Sequence, residues 1–234
     1  MESERILCKD KYLYEMNVIH IKTPKHKFTV KVMHAFIDIN KVSVDKKLFT
    51  RMCKDGCVNY DKKYSCPPCS PEFGKYLSRH EVKAKLMMVV MLVFEIGQLG
   101  NCGYKENLKL KIANSIIKTR IEKIMRALEE KINADYGRTS QTRFIGSGAC
   151  RLCRPCQRKF KRPCKHPDKM RYSLEALGVD CGKLVKDAFG KELKWYKNKK
   201  APEYTAVVCG MPLPENADKK KVITKLNNIL ESRC

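Results

Sequence analysis

The chain of 234 residues is 43% hydrophobic, which is enough for a packed core in one large domain or two small ones. Residues 1–15 are charged throughout, and the longest apolar run, residues 86–94, is about half a membrane span, which predicts a cytoplasmic protein without signal peptide or membrane helix. The formal net charge of +24 favours acidic partners, whether nucleic acid, an acidic protein or an anionic cofactor.

Two short strands are predicted in the first fifth of the chain. The period-2 alternation of Phe28, Val30 and Val32 predicts one strand, and residues 35–39 predict the next. The sequence before them mixes charged residues with short apolar pieces, so we expect residues 1–35 to form a partly ordered N-terminal extension. Residues 36–234 are predicted to form a single cysteine-rich domain, because no repeat or linker divides them.

The middle of the chain is predicted to contain three helices and a core strand. Residues 44–52 predict the first helix. Ser70 and Pro71 are typical of the N-cap and first residue of a second helix that ends near Arg79. Residues 86–96 predict a buried strand rich in Val and Met. Apolar residues then recur at spacings of three and four from residue 104 to 136, which indicates a long amphipathic helix.

In the last third, short strands and helices alternate around an irregular stretch. Residues 142–145 predict a strand, and the Cys-, Pro- and Arg-rich sequence up to Pro167 has no helical period. Further elements are predicted as helices at 173–177 and 183–189, a strand at 204–209 and a terminal helix at 217–230. The predicted fold class is therefore α/β or α+β, with one mixed sheet covered by helices and two cysteine-rich metal-binding loops.

Eight of the 13 cysteines fall into two segments, and in a reducing compartment such groups favour metal ligands over disulfides. The first cysteine segment, residues 53–69, contains Cys53, Cys57, Cys66 and Cys69. A pair, a gap and a pair would serve a tetrahedral zinc ion as well as an iron–sulfur cluster, so both remain open at this site. The spacing differs from the Cys-x3-Cys-x2-Cys run of radical-SAM enzymes.

The second cysteine segment, residues 150–164, contains Cys150, Cys153, Cys156 and Cys164. Its first three thiolates can reach one centre, because three residues span at most about 10 Å. Four-iron ferredoxin sites repeat this spacing and take a more distant fourth cysteine. A [4Fe-4S] cluster is therefore favoured here, with zinc as the alternative metal. The many Arg and Lys residues around this segment would attract an acidic redox partner.

The two segments together resemble a known family. The stretches CKDGCVNYDKKYSCPPCSP, from Cys53, and GSGACRLCRPCQRKFKRPCKHPDKMRYSLEALGVD, from Gly146, are similar to the DUF2284 family of predicted metal-binding proteins. The resemblance covers about residues 37–189 and implies a cytoplasmic, mainly prokaryotic metal or iron–sulfur protein. Cys69 departs from the family pattern and would complete a site that relatives finish with another ligand.

Three functional hypotheses follow. The leading one is an electron-transfer protein with two [4Fe-4S] clusters held by all eight cysteines, serving an acidic redox protein or a larger anaerobic enzyme complex as an accessory subunit. The second is an iron–sulfur enzyme with an open-coordination cluster for sulfur transfer or reductive chemistry. The third is a zinc-stabilised RNA-binding module, which the net charge alone supports. No catalytic residue is predicted, and whether the protein is an enzyme stays open.

Overall fold

The computed structural model describes residues 3–7, 13–22, 26–79, 84–100, 103–136 and 141–232. Five strands form one sheet in the order of the sequence: β1 (Ser3–Leu7), β2 (Leu13–Lys22), β3 (Lys27–Asp38), β4 (Leu86–Glu95) and β5 (Tyr204–Pro212). The five α-helices of the described ranges are α1 (Lys46–Gly56), α2 (Phe73–Arg79), α3 (Glu106–Tyr136), α4 (Cys181–Phe189) and α5 (Lys219–Ser232).

The fold class is α+β, which confirms one of the two predicted classes. All four pairs of neighbouring strands are antiparallel, so the sheet is not the mixed sheet that we expected. Each of the five described strands pairs with its neighbour in sequence, so no parallel strand pair requiring a crossover forms among them. The two strands predicted between residues 28 and 39 are parts of the single strand β3. The boundary expected at residues 35 and 36 lies within β3, so the strands before it are continuous with the sheet.

The sheet has a hydrophobic core on each face, which explains the unbroken apolar run of β4. Alternate side chains such as Val90 and Leu92 belong to one core, and the intervening Val89 and Met91 belong to the other. Side chains on both faces of a fully covered strand are apolar, so its sequence does not alternate between apolar and polar residues. The predicted buried strand at residues 86–96 is therefore confirmed, with its end one residue earlier.

Helices of different lengths cover the two faces. The long helix α3 and the C-terminal helix α5 pack on one face, where Ile117, Ile121 and Leu128 are fully buried. The other face is covered by α4, by α2 and by the chain around Leu174 and Leu177. Within the described ranges, no helix combines the length and apolar character that crossing a membrane requires.

The outer edge of β5 is where the second cysteine segment begins. Residues 142–145 do not form the predicted strand. Instead, the Thr142 hydroxyl donates to the Pro212 carbonyl oxygen, and Ile145 makes one antiparallel bridge with Gly210. Gly146 then bridges to Ser173 in parallel. These isolated bridges hold both ends of the cysteine-containing chain at the sheet edge.

Candidate metal centre

Cys53 and Cys57 lie at the C-terminal end of α1. The Cys57 backbone N–H caps this helix by donating to the Cys53 carbonyl oxygen over 3.0 Å. Cys66 and Cys69 lie in the turns that follow, where the Cys69 N–H donates to the Cys66 carbonyl oxygen over 3.0 Å. Cys66 is buried with 6% exposure, Cys57 is exposed, and the other two are half-buried. The four thiols thus extend from the interior to the surface.

The carbonyl group of Ala176 connects both sides of the first cysteine segment to the rest of the protein. Its oxygen accepts hydrogen bonds from Lys46 Nζ on α1 and, over 2.7 Å, from the Ser70 hydroxyl. Ser70 is therefore not the predicted N-cap, and α2 begins only at Phe73. A Cβ on Gly178, whose φ is +92°, would overlap the backbone of Lys46. Glycine at this position allows α1 to approach so closely.

Three thiols of the first segment form one electrostatic group. Burial raises the pKa of the Cys53 thiol, and the nearby Cys57 and Glu175 raise it further. Burial also raises the pKa of the Cys66 thiol, against the effect of a hydrogen bond with Ser65, and both Cys57 and Cys53 add to the increase. The Cys57 thiol thus acts on both Cys53 and Cys66, and Cys53 acts on Cys66.

The second cysteine segment has an irregular backbone apart from one 3-10 turn, Gln157–Phe160. Its four cysteines are all half-buried. Burial raises the pKa of the Cys150 thiol, and Cys164 and Cys156 contribute in the same direction. Cys150, Cys156 and Cys164 therefore form a second group of neighbouring thiols.

The two cysteine segments are in direct contact, which the sequence did not indicate. The Cys150 N–H donates to the Ser65 hydroxyl oxygen over 3.0 Å, and Lys63 Nζ donates to the Cys150 carbonyl oxygen over 2.8 Å. The Tyr64 hydroxyl donates to the Arg162 carbonyl oxygen over 2.6 Å. Three consecutive residues just before Cys66 thus bind the second segment, and the two segments form one cysteine-rich layer.

An ion pair extends this contact toward the surface. The Arg158 guanidinium lies 2.6 Å from Asp61 Oδ1 and within 5.9 Å of the centre of the Tyr64 ring. The hydrogen bond to Asp61 raises the pKa of Arg158, and the nearby Cys69 thiol adds to the increase. Burial raises the pKa of Tyr172, with smaller contributions from Cys69 and Cys164 in the same direction. The Cys69 thiol thus acts electrostatically on one residue of the second segment and on one residue that follows it.

All eight candidate metal ligands are cysteine thiols. As the side chains stand, no three His, Cys, Asp or Glu residues of the described ranges are compact enough to hold a metal ion. Thiolates are the ligands of iron–sulfur clusters and of structural zinc, and they do not suit Mg²⁺ or Ca²⁺. The residues present thus fit a soft metal centre.

The sequence did not indicate which residues outside the ligand set lie beside the candidate cysteines. Lys46, Ser65 and Glu175 each lie beside a ligand candidate, and only Ser65 was adjacent to a cysteine in sequence. Cys209, which lies outside both segments, is fully buried in β5. Cys8, Cys102 and Cys234 lie outside the described residues.

The fold and the site together define an α+β protein in which two cysteine segments meet beside the edge of an antiparallel sheet. A comparison with known families matches residues 35–209 to the predicted metal-binding protein family DUF2284. The match includes all eight cysteines and most of the chain, so the protein belongs to this family and the resemblance is confirmed. Searches of curated proteins and of solved structures found no match.

Proposed function

We propose that the protein carries two [4Fe-4S] clusters and transfers electrons. Cys53, Cys57, Cys66 and Cys69 would hold the first cluster, and the four cysteines of the second segment would hold the other. The main support is the hydrogen bond between Ser65 and the Cys150 backbone, because it joins the two ligand segments directly. Two one-electron centres in adjoining loops could exchange electrons without any domain movement.

Ligand spacing supports iron–sulfur clusters over zinc. Structural zinc usually takes its four thiolates as two separated pairs. The second segment instead brings Cys150, Cys153 and Cys156 into one short run, with Cys164 as the more distant fourth ligand. The repeated x2 spacing from Cys150 to Cys156 points in the same direction.

The surface of the second segment supports an acidic redox partner or a larger enzyme complex as its electron donor or acceptor. Leu152 and Phe160 are exposed and apolar, and the sequence around them is rich in cationic residues. Those cations are Arg151, Arg154, Arg158, Lys159, Lys161, Arg162 and Lys165. Apolar anchors inside a charged rim are common at protein interfaces, and the positive field would guide an acidic partner to the cluster.

Anaerobic purification followed by metal analysis, sulfide analysis and EPR of the reduced protein tests this proposal. About eight iron and eight acid-labile sulfide per chain are expected, from two clusters of four iron atoms. Cys153→Ser should reduce the iron content to about half, whereas the matched control Cys209→Ala should keep it, because Cys209 is fully buried in β5 and belongs to neither segment. Stoichiometric zinc without sulfide would overturn the proposal.

The position of Cys69 favours a second candidate function. The pKa of Cys53 is raised by Cys57 and that of Cys66 by Cys57 and Cys53, while Cys69 acts on Arg158 and Tyr172. If Cys69 is not a permanent ligand, three thiolates would bind the first cluster and leave one iron open. Such a cluster serves sulfur transfer or reductive chemistry, and the enzyme hypothesis would then apply.

A further inference from the structure

A cavity of about 310 Å³ lies between α3, the first half of β5 and residues 193–196. Its apolar wall is formed by Leu110, Leu193, Ala206, Val207 and Val208. This volume is within the range of small-molecule sites, which are typically apolar with a few polar groups that orient the ligand. None of the eight ligand cysteines lines it, so the cavity is distinct from the candidate metal centre.

Two hydrogen-bond donors lie one helical turn apart on the α3 side of the cavity. The Thr205 hydroxyl donates to Asn114 Oδ1 over 2.8 Å, which leaves the Asn114 Nδ2 hydrogens for another acceptor. Lys118 follows four residues later on the same face. The Lys118 ammonium has no hydrogen-bond acceptor within the described ranges. It lies against Gly148, where the Cβ of any other residue would overlap it. An amide and an ammonium in this arrangement suit a carboxylate.

Aromatic rings form the opposite rim. Trp195 is 67% exposed and Tyr196 is 41% exposed, which is unusual for such large side chains next to each other. Lys194 also lines the cavity, so its two cations outnumber the single carboxylate of Glu175. That carboxylate lies near the Cys181 thiol and, after burial, contributes to raising the pKa of Cys181. The cavity thus offers planar apolar surfaces together with an excess of positive charge.

We propose that this cavity binds a small organic carboxylate with a planar apolar body. The carboxylate accepts hydrogen bonds from Asn114 Nδ2 and Lys118 Nζ, and the planar body packs against Trp195 and Tyr196. Ser147 also lines the cavity, three residues before Cys150, so the ligand lies beside the second cysteine segment. The proposal goes beyond electron transfer and holds whichever metal the cysteines bind.

Calorimetric titration of the purified protein with benzoate tests this proposal, with benzamide as the neutral analogue of the same shape. Benzoate should bind one site saturably, with a Kd of about 1 mM or tighter for so small a probe, and benzamide at least about tenfold more weakly. Because Trp195 is the single tryptophan of the chain, benzoate should also change the tryptophan fluorescence with the same midpoint. Equal binding of both probes, or no saturable binding of benzoate, would overturn the proposal.

Variants at the two sides of the cavity separate binding from folding. Lys118→Met should weaken benzoate binding about tenfold, whereas Lys131→Met, on the opposite and exposed side of α3, should leave it unchanged. Trp195→Leu should also weaken binding, and this exposed position is safe for folding if Lys118→Met proves unstable. Unchanged affinity in Trp195→Leu or in folded Lys118→Met contradicts the proposal. Iron content, measured on the same samples, tests the cluster proposal separately.

Discussion

The Ser65 hydroxyl accepts a hydrogen bond of 3.0 Å from the backbone N–H of Cys150, which lies 85 positions later in the sequence. Ser65 is 1% exposed and also lies 3.8 Å from the Cys66 thiol, so one side chain contacts both cysteine segments. Helix α1 positions Cys53 and Cys57, whereas Cys66, Cys69 and the four cysteines of the second segment lie outside any α-helix or strand. The mutual contacts of the two segments therefore set where the two groups of thiols lie.

Ser65→Ala should destabilise the protein by about 1–3 kcal/mol, because it leaves the Cys150 N–H without its acceptor in a poorly solvated place. Urea unfolding of the wild type and variant measures the difference. Ser78→Ala is the control, since the Ser78 hydroxyl makes one exposed bond to the Gly74 carbonyl oxygen and its loss should cost little. Equal stability of the two variants would show that the Ser65 contact does not join the segments.

Glu129→Ala should destabilise the fold by about 3–5 kcal/mol. Glu129 and Arg171 form a nearly buried ion pair, and the variant leaves the Arg171 charge without its partner. Glu129 Oε2 also accepts from the Phe144 N–H over 2.7 Å, so this residue secures both flanks of the second cysteine segment on α3. Thermal or urea unfolding measures the loss. The exposed neighbour provides the comparison: Glu130→Ala should change stability by less than about 0.5 kcal/mol.

His34 should make the protein less stable in mild acid. Burial lowers the pKa of this 1% exposed histidine in the folded state, against the opposing effect of Glu15, whose Oε2 lies 3.5 Å from Nε2. The unfolded chain has a pKa near the ordinary value of about 6.5, so it binds the proton more readily. The contribution of neutral His34 to the free energy of unfolding is therefore fully present above about pH 6.5, and it is lost as the pH falls toward the folded-state pKa.

Urea unfolding at a series of pH values from about 5 to 8 measures this slope. His34→Leu should remove that part of the pH dependence, whatever its effect on stability at neutral pH. His20→Leu, at an exposed position of the same strand pair, should keep the wild-type slope. If the slope persists in His34→Leu, another group is responsible.

Cys69→Ser distinguishes the two candidate functions of the first site. If Cys69 is a permanent ligand, the iron content of anaerobically prepared protein should fall from about eight to about four atoms per chain, and one EPR signal should disappear. Cys53→Ser should give the same result as a reference for loss of the first cluster. Full iron in Cys69→Ser, with Cys53→Ser depleted, would instead favour the open-iron enzyme.

Local sequence patterns predicted the elements whose signals lie within a single segment. The spacing of Ile117, Ile121 and Leu128 predicted α3, because one face of a helix repeats every three to four residues. The apolar run of β4 predicted a buried strand for an equally local reason. The cysteine spacings likewise indicated two groups of metal ligands and a family, and the match over residues 35–209 confirmed that family.

Tertiary structure decided what depends on partners distant in sequence. The strands are antiparallel because each connection leads the chain back beside the preceding strand. The alternation of apolar and polar residues within a strand does not reveal this direction. Residues 142–145 have a strand-like composition, yet only Ile145 makes a bridge, with Gly210 of β5. The hydrogen bond between Ser65 and Cys150 forms only when both segments are folded against each other. The sequence alone thus determined the two sets of thiols, and only the packed chain brought them together, because a hydrogen bond across 85 residues has no local signature.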